Sequence, residues 1–485
     1  MSSDFFDVVV LGGDLAATIA GTVLSHRGFR VLVAGAPVEE RYSIGPYVLP
    51  RAPLAFVGLE SPALKRVVGE LNLVQLLRRR LEPNRPAFQL LLPDHRLDVG
   101  DDLGREVARE LPEAQAPLET ANARIAEISQ AVESILAQDL ILPPDGFWDR
   151  RDANRVGARL PDDDSDPSAP LPPDHPLRLL HRLPALFGSD LAQPGAAATA
   201  RLADLHLHGT FRLDGGRQAV RTLLLDRLRT HSGEVHPELE PEAIVVRRGK
   251  VAGVRFSGRD ELTGCTHVLC GFGADRVAAL LDGDKPPKRL TEAAAIPASH
   301  YRYLLHLVAP LDALPDALAR SAYSVRDPAA PLEDSNALAL HLADGYGQHA
   351  VLSVEALATD PSPEGLAKLR REIRAHLDER LPFVDRHLLC VSSPHDGLKP
   401  ERAESHAAPP AIAMEPVWNL PKPRPLGFCG LSHATGIKHL LFASRQVLPG
   451  LGLEGELACG FSAARLVLQT ERKRDLVKGA ILESS

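Results

Sequence analysis

Cysteine is scarce and poorly placed for chemistry. The five cysteines stand at 265, 270, 390, 429 and 459, with no CxxC pair among them. That set gives neither a disulfide framework nor a metal-ligand spacing, and it predicts a reducing, cytoplasmic compartment. No run of about eighteen apolar residues occurs, so no membrane-spanning helix is expected. The opening MSSDFFD has no basic region and no long apolar stretch, so no signal peptide is expected. Basic residues are not in excess. A formal net charge of -8 and a pI near 6.2 offer no footprint for nucleic acid. GxSxG, HExxH and P-loop patterns are absent, which leaves hydrolase, zincin and nucleotide-triphosphatase readings without support. No internal repeat is visible.

What is present is ample apolar material for a core. The 485 residues are 44% hydrophobic and 24% charged, as in soluble globular proteins, and the length suggests two domains. Residues 7–35 read DVVVLGGDLAATIAGTVLSHRGFRVLVAG. An apolar strand (7–11) runs into glycines, then a helix (15–27) closed by Gly28, then a second apolar strand (30–34). That is the order of a dinucleotide-binding βαβ unit.

Further along, 61–80 has near-helical apolar spacing, 88–92 and 96–99 form a hairpin, and 118–139 is an amphipathic helix. A glycine pair at 215–216 precedes a helix at 218–230. Strands follow at 243–247, 250–256 and 265–270, the first two joined by a tight turn at Arg248-Gly249. A helix is predicted at 363–380, and 439–470 reads as strand, glycine-rich loop and helix. The segment 143–176, rich in Asp and Pro, predicts a flexible surface loop. Its three successive aspartates have no fixed geometry for a cation.

Two other clusters carry weaker signals. The stretch DLHLH at 204–208 reads as a strand with His206 and His208 on one face. A metal pair and a plain sheet edge both fit, and the sheet edge fits better because no third ligand is evident. Tyr301 and Tyr303 alternate onto one strand face, either lining a tunnel or packing into a core. His433 reads as an ordinary loop histidine, and Cys429 and Cys459 as small buried hydrophobes.

Four stretches together resemble a known family: DVVVLGGDLAATIAG; FRLDGGRQAVRTLLLDRLRTHSGEV followed by VAGVRF; CTHVLCGFGADRVAALL; and LLFASRQVLPGLGLEGELACGFSAARLV. In order and spacing they are similar to the FAD-dependent phytoene (carotenoid) desaturases and amine-oxidase-like oxidoreductases. The last stretch is the most specific. The resemblance implies an α/β fold: a discontinuous Rossmann-like FAD/NAD(P)-binding domain (1–79, 206–285 and 425–485) with an inserted α+β substrate domain (80–205 and 286–424). It also implies hydride transfer between flavin and a lipophilic isoprenoid or polyene substrate.

The cofactor motifs depart from the family's pattern. In a GxGxxG turn the second glycine lets the backbone approach the pyrophosphate. Here Gly12 takes the first place, with Gly13 following, Asp14 takes the second and Ala17 the third. Asp14 adds bulk and negative charge beside a diphosphate, and could itself serve the helix as an N-cap. The acidic ribose ligand expected after the second strand is replaced by Gly35, with Glu39 and Glu40 as possible substitutes. Arg41 is the candidate remnant of a phosphate-facing loop. Pro241 falls where the family offers a backbone amide to adenine, and proline has none. Ser444-Arg445 replaces the family's Gly-Asp, while Gly450, Gly452 and Gly455 preserve the loop that faces the isoalloxazine in the family. The candidate cofactor residues are therefore Gly12, Gly13, Asp14, Ala17, Arg41, Arg445, Gly450, Gly452 and Gly455, with FAD as a cofactor whose usual contacts are partly lost. The alternative is a flavin-free pseudo-oxidoreductase that binds a lipid, a prenyl group or a protein. A lipophilic small molecule is the expected partner, with a peripheral membrane or protein partner also possible. The sequence indicates no oligomeric state.

Overall fold

The computed structural model describes residues 5–482 except 36–38, 40, 139, 284, 346, 404 and 405, with backbone only beyond residue 472. Glu40 therefore lies outside the described residues. Two sheets organise the chain. The first has seven strands, and its centre is the predicted βαβ unit. Strand β1 (Phe5–Leu11) pairs in parallel with β2 (Val31–Ala34) on one side and with Thr263–Cys270 on the other. Val8 to Leu11 are fully buried, as expected of a parallel strand covered on both faces. Helix α1 (Leu15–His26) makes the crossover. Leu440–Phe442 adds a further parallel strand beside Thr263–Cys270, so the first, middle and last parts of the chain meet in one sheet.

The second sheet has eight strands, drawn from residues 88–99 and 298–418. Its longest pairing joins Ala298–Pro310 to His349–Ala358, antiparallel. Glu415–Trp418 also pairs with Ala298–Pro310. The long C-terminal helix, Gly452–Leu482, rides closely on α1. A Cβ at Gly460 would lie 2.5 Å from the Ala16 carbonyl oxygen, so only glycine permits this approach.

Most predicted elements are present. The helices at Leu15–His26, Gln115–Leu136, Gly216–Thr230 and Pro363–Arg380 lie where apolar spacing placed them. The stretch 61–80 is two helices, Pro62–Glu70 and Val74–Arg78, parted at Asn72, whose φ of 54° ends the first.

Two expectations are corrected. Residues 204–208 are not a strand: they end the helix Ala196–Leu207, which the preceding alanines favour. His206 Nδ1 bonds the Leu202 carbonyl one turn back, at 2.8 Å, and burial lowers its pKa to about 4. The two histidines therefore share no face, and among the described residues no group of metal ligands occurs.

The segment 143–176 is not a featureless loop. It holds the helix Phe147–Val156 and is anchored by arginines and a lysine. Arg424 donates two hydrogen bonds to the buried Asp163 carboxylate, at 2.9 and 3.0 Å. Lys422 holds Asp164, and Arg178 holds Asp166. Local composition predicts solvation, but these carboxylates find cations outside the segment, Arg178 just beyond it and Lys422 and Arg424 far along the chain.

Candidate cofactor seat and cavity

The leading end of α1 is where the resemblance places a diphosphate, and the chain's own groups crowd that place. Gly12 turns with φ of 95°. Its amide donates to the Ala34 carbonyl at 3.1 Å. A Cβ there would lie 2.6 Å from the ring of Phe272, which is itself stacked under the Arg276 guanidinium, 3.9 Å from the ring centroid. Ala17 is buried and packs against Gly271, the helix-to-strand contact expected of the third motif position.

Asp14 stands at the N-cap position with extended backbone, but its side chain makes no cap bond. Its Oδ2 instead accepts the backbone amide of Arg445 at 2.8 Å. The N-cap role expected of Asp14 is corrected accordingly. Burial raises the Asp14 carboxyl above the usual aspartate range, and the Arg445 charge and amide only partly oppose this.

Arg445 is the hub of a buried ion cluster. Its Nη1 reaches Glu415 Oε2 at 2.8 Å and Asp190 Oδ1 at 3.3 Å. Asp190 also faces Arg302 at 3.5 Å, and its second oxygen has no partner among the described residues. Arg302 donates to the Phe187 and Ser189 carbonyls and to Glu355. Burial alone would raise the Glu415 carboxyl. The guanidinium groups of Arg445, Arg217 and Arg302 outweigh it and hold the group down at about 2.

The ribose side is filled as well. Gly35 has φ of 68°, and a Cβ on it would lie 2.8 Å from the ring of Pro241. The residue that lacks the adenine-facing amide thus also covers the place of the missing acid. Glu39 is turned to Arg51, at 2.8 Å. Arg41 is exposed on the strand Arg41–Ile44 and lines a separate small cavity with Arg212 and Arg320, away from Asp14 and Arg445.

Gly450, Gly452 and Gly455 shape a tight turn, and their need for glycine is met by the protein itself. A Cβ at Gly450 would meet Phe428 at 2.7 Å, at Gly452 the Gly188 carbonyl at 1.9 Å, and at Gly455 the Leu448 carbonyl at 2.2 Å. The carboxylates of the same turn hold arginines. Glu454 accepts two bonds from the buried Arg201, at 2.7 and 2.9 Å, and Glu456 pairs with Arg217.

Beside the second sheet, against the 51–54 segment and the start of Gly216–Thr230, lies a cavity of about 420 Å³, within the range of small-molecule sites. Arg217, Arg302, Glu355 and Glu415 give it charge, His395 adds an imidazole whose pKa burial lowers, and Leu54, Phe187, Leu304 and Ile412 give it apolar wall. Arg217 is presented by the glycine pair at 215–216, where both residues have positive φ and the Arg217 amide donates to the Ala52 carbonyl at 3.2 Å. Tyr303 turns away into the core and donates to Asp396 at 2.9 Å, so the tunnel-lining alternative for that face does not hold for it. His433 is buried and bonds the Phe442 and Leu142 carbonyls.

Arg217, Arg302, Asp190, Glu355 and Glu415 were not singled out by sequence reading. The available signal was weak: single charges inside apolar runs, such as Arg302 in HYRYLLHLV.

No protein-family model and no curated protein matches the sequence. Solved structures do. The chain is similar to an oxidoreductase from Methanosarcina mazei at 14% identity and a TM-score of 0.59, covering 94% of this chain and 99% of that one. It is similar to a putrescine oxidase redesigned in its cofactor binding, at 14% identity and a TM-score of 0.58, covering 96% and 99%. It is also similar to cyclohexylamine oxidase from Brevibacterium oxydans, at 13% identity and a TM-score of 0.54, covering 96% and 99%. This chain shares its fold with these proteins. At such identities the likeness establishes architecture alone. No described helix is long and apolar enough to cross a membrane.

The residues present do not fit a dinucleotide in the usual seat of this fold. A carboxylate occupies the Arg445 amide, a proline ring covers Gly35, and a phenyl ring covers Gly12.

Proposed function

We propose that this chain is a flavin-free pseudo-oxidoreductase that binds its ligand in the cavity beside the second sheet. One observation carries this reading: the Asp14 carboxylate accepts the Arg445 amide at the leading end of α1. A helix N-terminus attracts anions, and here a carboxyl of the chain itself stands at that end, bonded to the Arg445 amide rather than to the helix. A diphosphate entering the seat would meet this partly buried carboxyl, which when ionised carries the same sign.

The cavity lining favours an amphiphilic ligand over a bare polyene. Glu355, Glu415, Arg217 and Arg302 would meet a polar head, and Phe187, Leu304 and Ile412 an apolar body. An isoprenoid with a charged or hydroxylated end fits that description.

The second reading keeps FAD and hydride transfer to a lipophilic isoprenoid or polyene. Its support is the match of fold over nearly the whole length of several oxidases. Protein purified without added cofactor separates the two. The flavin-free reading expects colourless protein that leaves the fluorescence of added FAD unchanged. Stoichiometric FAD carried through purification overturns it. The pair Asp14→Gly and Gly35→Glu adds a sharper test. Because Pro241 and Phe272 still fill the seat, the pair is expected to gain no FAD uptake. A gain would mean the site has only drifted.

A further inference from the structure

The two most exposed large apolar side chains among the described residues are neighbours: Phe147 at 74% and Trp148 at 68%. They open the helix Phe147–Val156, and their rings contact edge to face, 5.3 Å between centroids. Ala153 faces inward. The outward side is cationic. Trp148, Arg151 and Arg155 are spaced i, i+3 and i+7 and share one stripe, which continues to Arg159 in the following turn. Arg150 flanks Phe147.

The nearby acids are engaged, Asp145 with Arg289 outside the helix and two others within it. Asp149 accepts the Gly146 amide at 3.2 Å, and Asp152 pairs with Arg155 at 3.3 Å. Among the described residues, Arg150, Arg151 and Arg159 have no carboxylate partner, and Arg151 lies over the Trp148 ring at 5.6 Å. A chain of net charge -8 therefore carries a cationic stripe behind an aromatic tip.

We propose that this helix is a docking surface for an anionic lipid bilayer, with Phe147 and Trp148 entering the headgroup region and the arginines binding lipid phosphates. Aromatic rings with polar handles settle at the membrane–water interface, and guanidinium groups take phosphate oxygens in pairs. One exposed face of a ten-residue helix is small for a stable protein interface, which needs about 800 Å² per partner. It suffices for reversible, salt-sensitive adsorption. The surface shares no residue with the cavity or with the crowded cofactor seat, so the flavin result leaves it untouched.

The test uses intrinsic fluorescence of the full chain with vesicles of phosphatidylcholine alone or mixed with phosphatidylserine. The protein has two tryptophans, and the other, Trp418, is buried. Acrylamide-accessible emission therefore reports on Trp148. Mixed vesicles are expected to shift the emission to the blue and shield it from acrylamide, while phosphatidylcholine alone does neither. Brominated lipid should quench it. Replacing Arg151, Arg155 and Arg159 by Gln is expected to weaken binding about 100-fold, at roughly fivefold per arginine. Sedimentation with vesicles reads the same loss for Trp148→Ala. Unchanged emission with every vesicle overturns the proposal. So does binding that survives both variants, which would place the contact elsewhere. Shielding of Trp148 that grows with protein concentration without lipid would assign the surface to a second copy of the chain and also overturn it.

Discussion

The leading end of α1 and the cavity beside the second sheet differ in what occupies them. At the α1 end, small residues are covered by the chain's own rings: Phe272 over Gly12 and Pro241 over Gly35. At the cavity end, about 420 Å³ remains open and is lined by charge. Arg445 joins the two, giving its amide to Asp14 and its guanidinium to Glu415. Architecture and cofactor seat are separable: a few side chains crowd one place, while the other stays open.

The strongest way to break this arrangement is to remove the hub. Arg445→Met leaves the Asp190 carboxylate buried without its strongest cation and strips Glu415 of its nearest partner. Breaking a buried pair from one side costs about 3–5 kcal/mol. Urea unfolding should show a matching fall in midpoint without a change in slope. A loss under about 1 kcal/mol would mean that solvent already screens the cluster.

Next in size is Gly35→Glu alone, the change that restores an acidic residue after β2. It forces a Cβ to 2.8 Å from Pro241 at a φ of 68°. Overpacking of this kind costs about 1–3 kcal/mol. Adding Pro241→Gly should recover part of the loss by opening the contact. Thermal unfolding of the single and double variants measures the coupling, and strict additivity would show that the ring is not the obstacle.

A smaller effect distinguishes the carboxylates on the two sides of Arg445. Glu415, held at about 2 when folded, stabilises the protein above its unfolded value of about 4.3, and that contribution fades as pH falls toward 2. Asp14 has the opposite sign. Its raised folded value gives stability at low pH that is lost as pH rises through that value. Glu415→Gln should therefore cost about 1 kcal/mol at pH 7, reduced by solvent because its side chain is 41% exposed, and should flatten the acid limb of the stability profile. Asp14→Asn keeps an oxygen for the Arg445 amide and should not destabilise at pH 7. Denaturant midpoints from pH 2 to 7 read both.

The fold was legible because its signals are local and repeated. Apolar runs bounded by glycine marked β1, α1 and β2, and a helix expected near 363–380 is present as Pro363–Arg380. The altered seat was also legible, since Asp14, Gly35 and Pro241 stand at motif positions with stated physical demands. What fills it was not. Phe272 over Gly12 and the amide of Arg445 on Asp14 join residues hundreds of positions apart, and no periodicity encodes that. The same limit explains the misreading of 204–208, where an alternating HLH pattern outweighed the helix-forming alanines before it. It also explains residues 143–176, where Asp163, Asp164 and Asp166 pair with Arg424, Lys422 and Arg178 outside the segment.

Arg41 sharpens the comparison from its quiet side. Sequence position made it a candidate phosphate ligand, yet it is exposed on Arg41–Ile44 and faces Arg212 and Arg320 across another cavity. Three arginines around one space repel unless acids intervene, and Asp344 already serves the other two. Arg41→Ala should therefore change stability by less than about 0.5 kcal/mol, as for an exposed residue outside any buried network. Should Asp14→Gly prove to admit FAD, Arg41→Ala in that background separates the sites. Unchanged uptake would place Arg41 outside the seat, as the structure does, whereas a tenfold loss would require the 41–44 strand to close over the diphosphate.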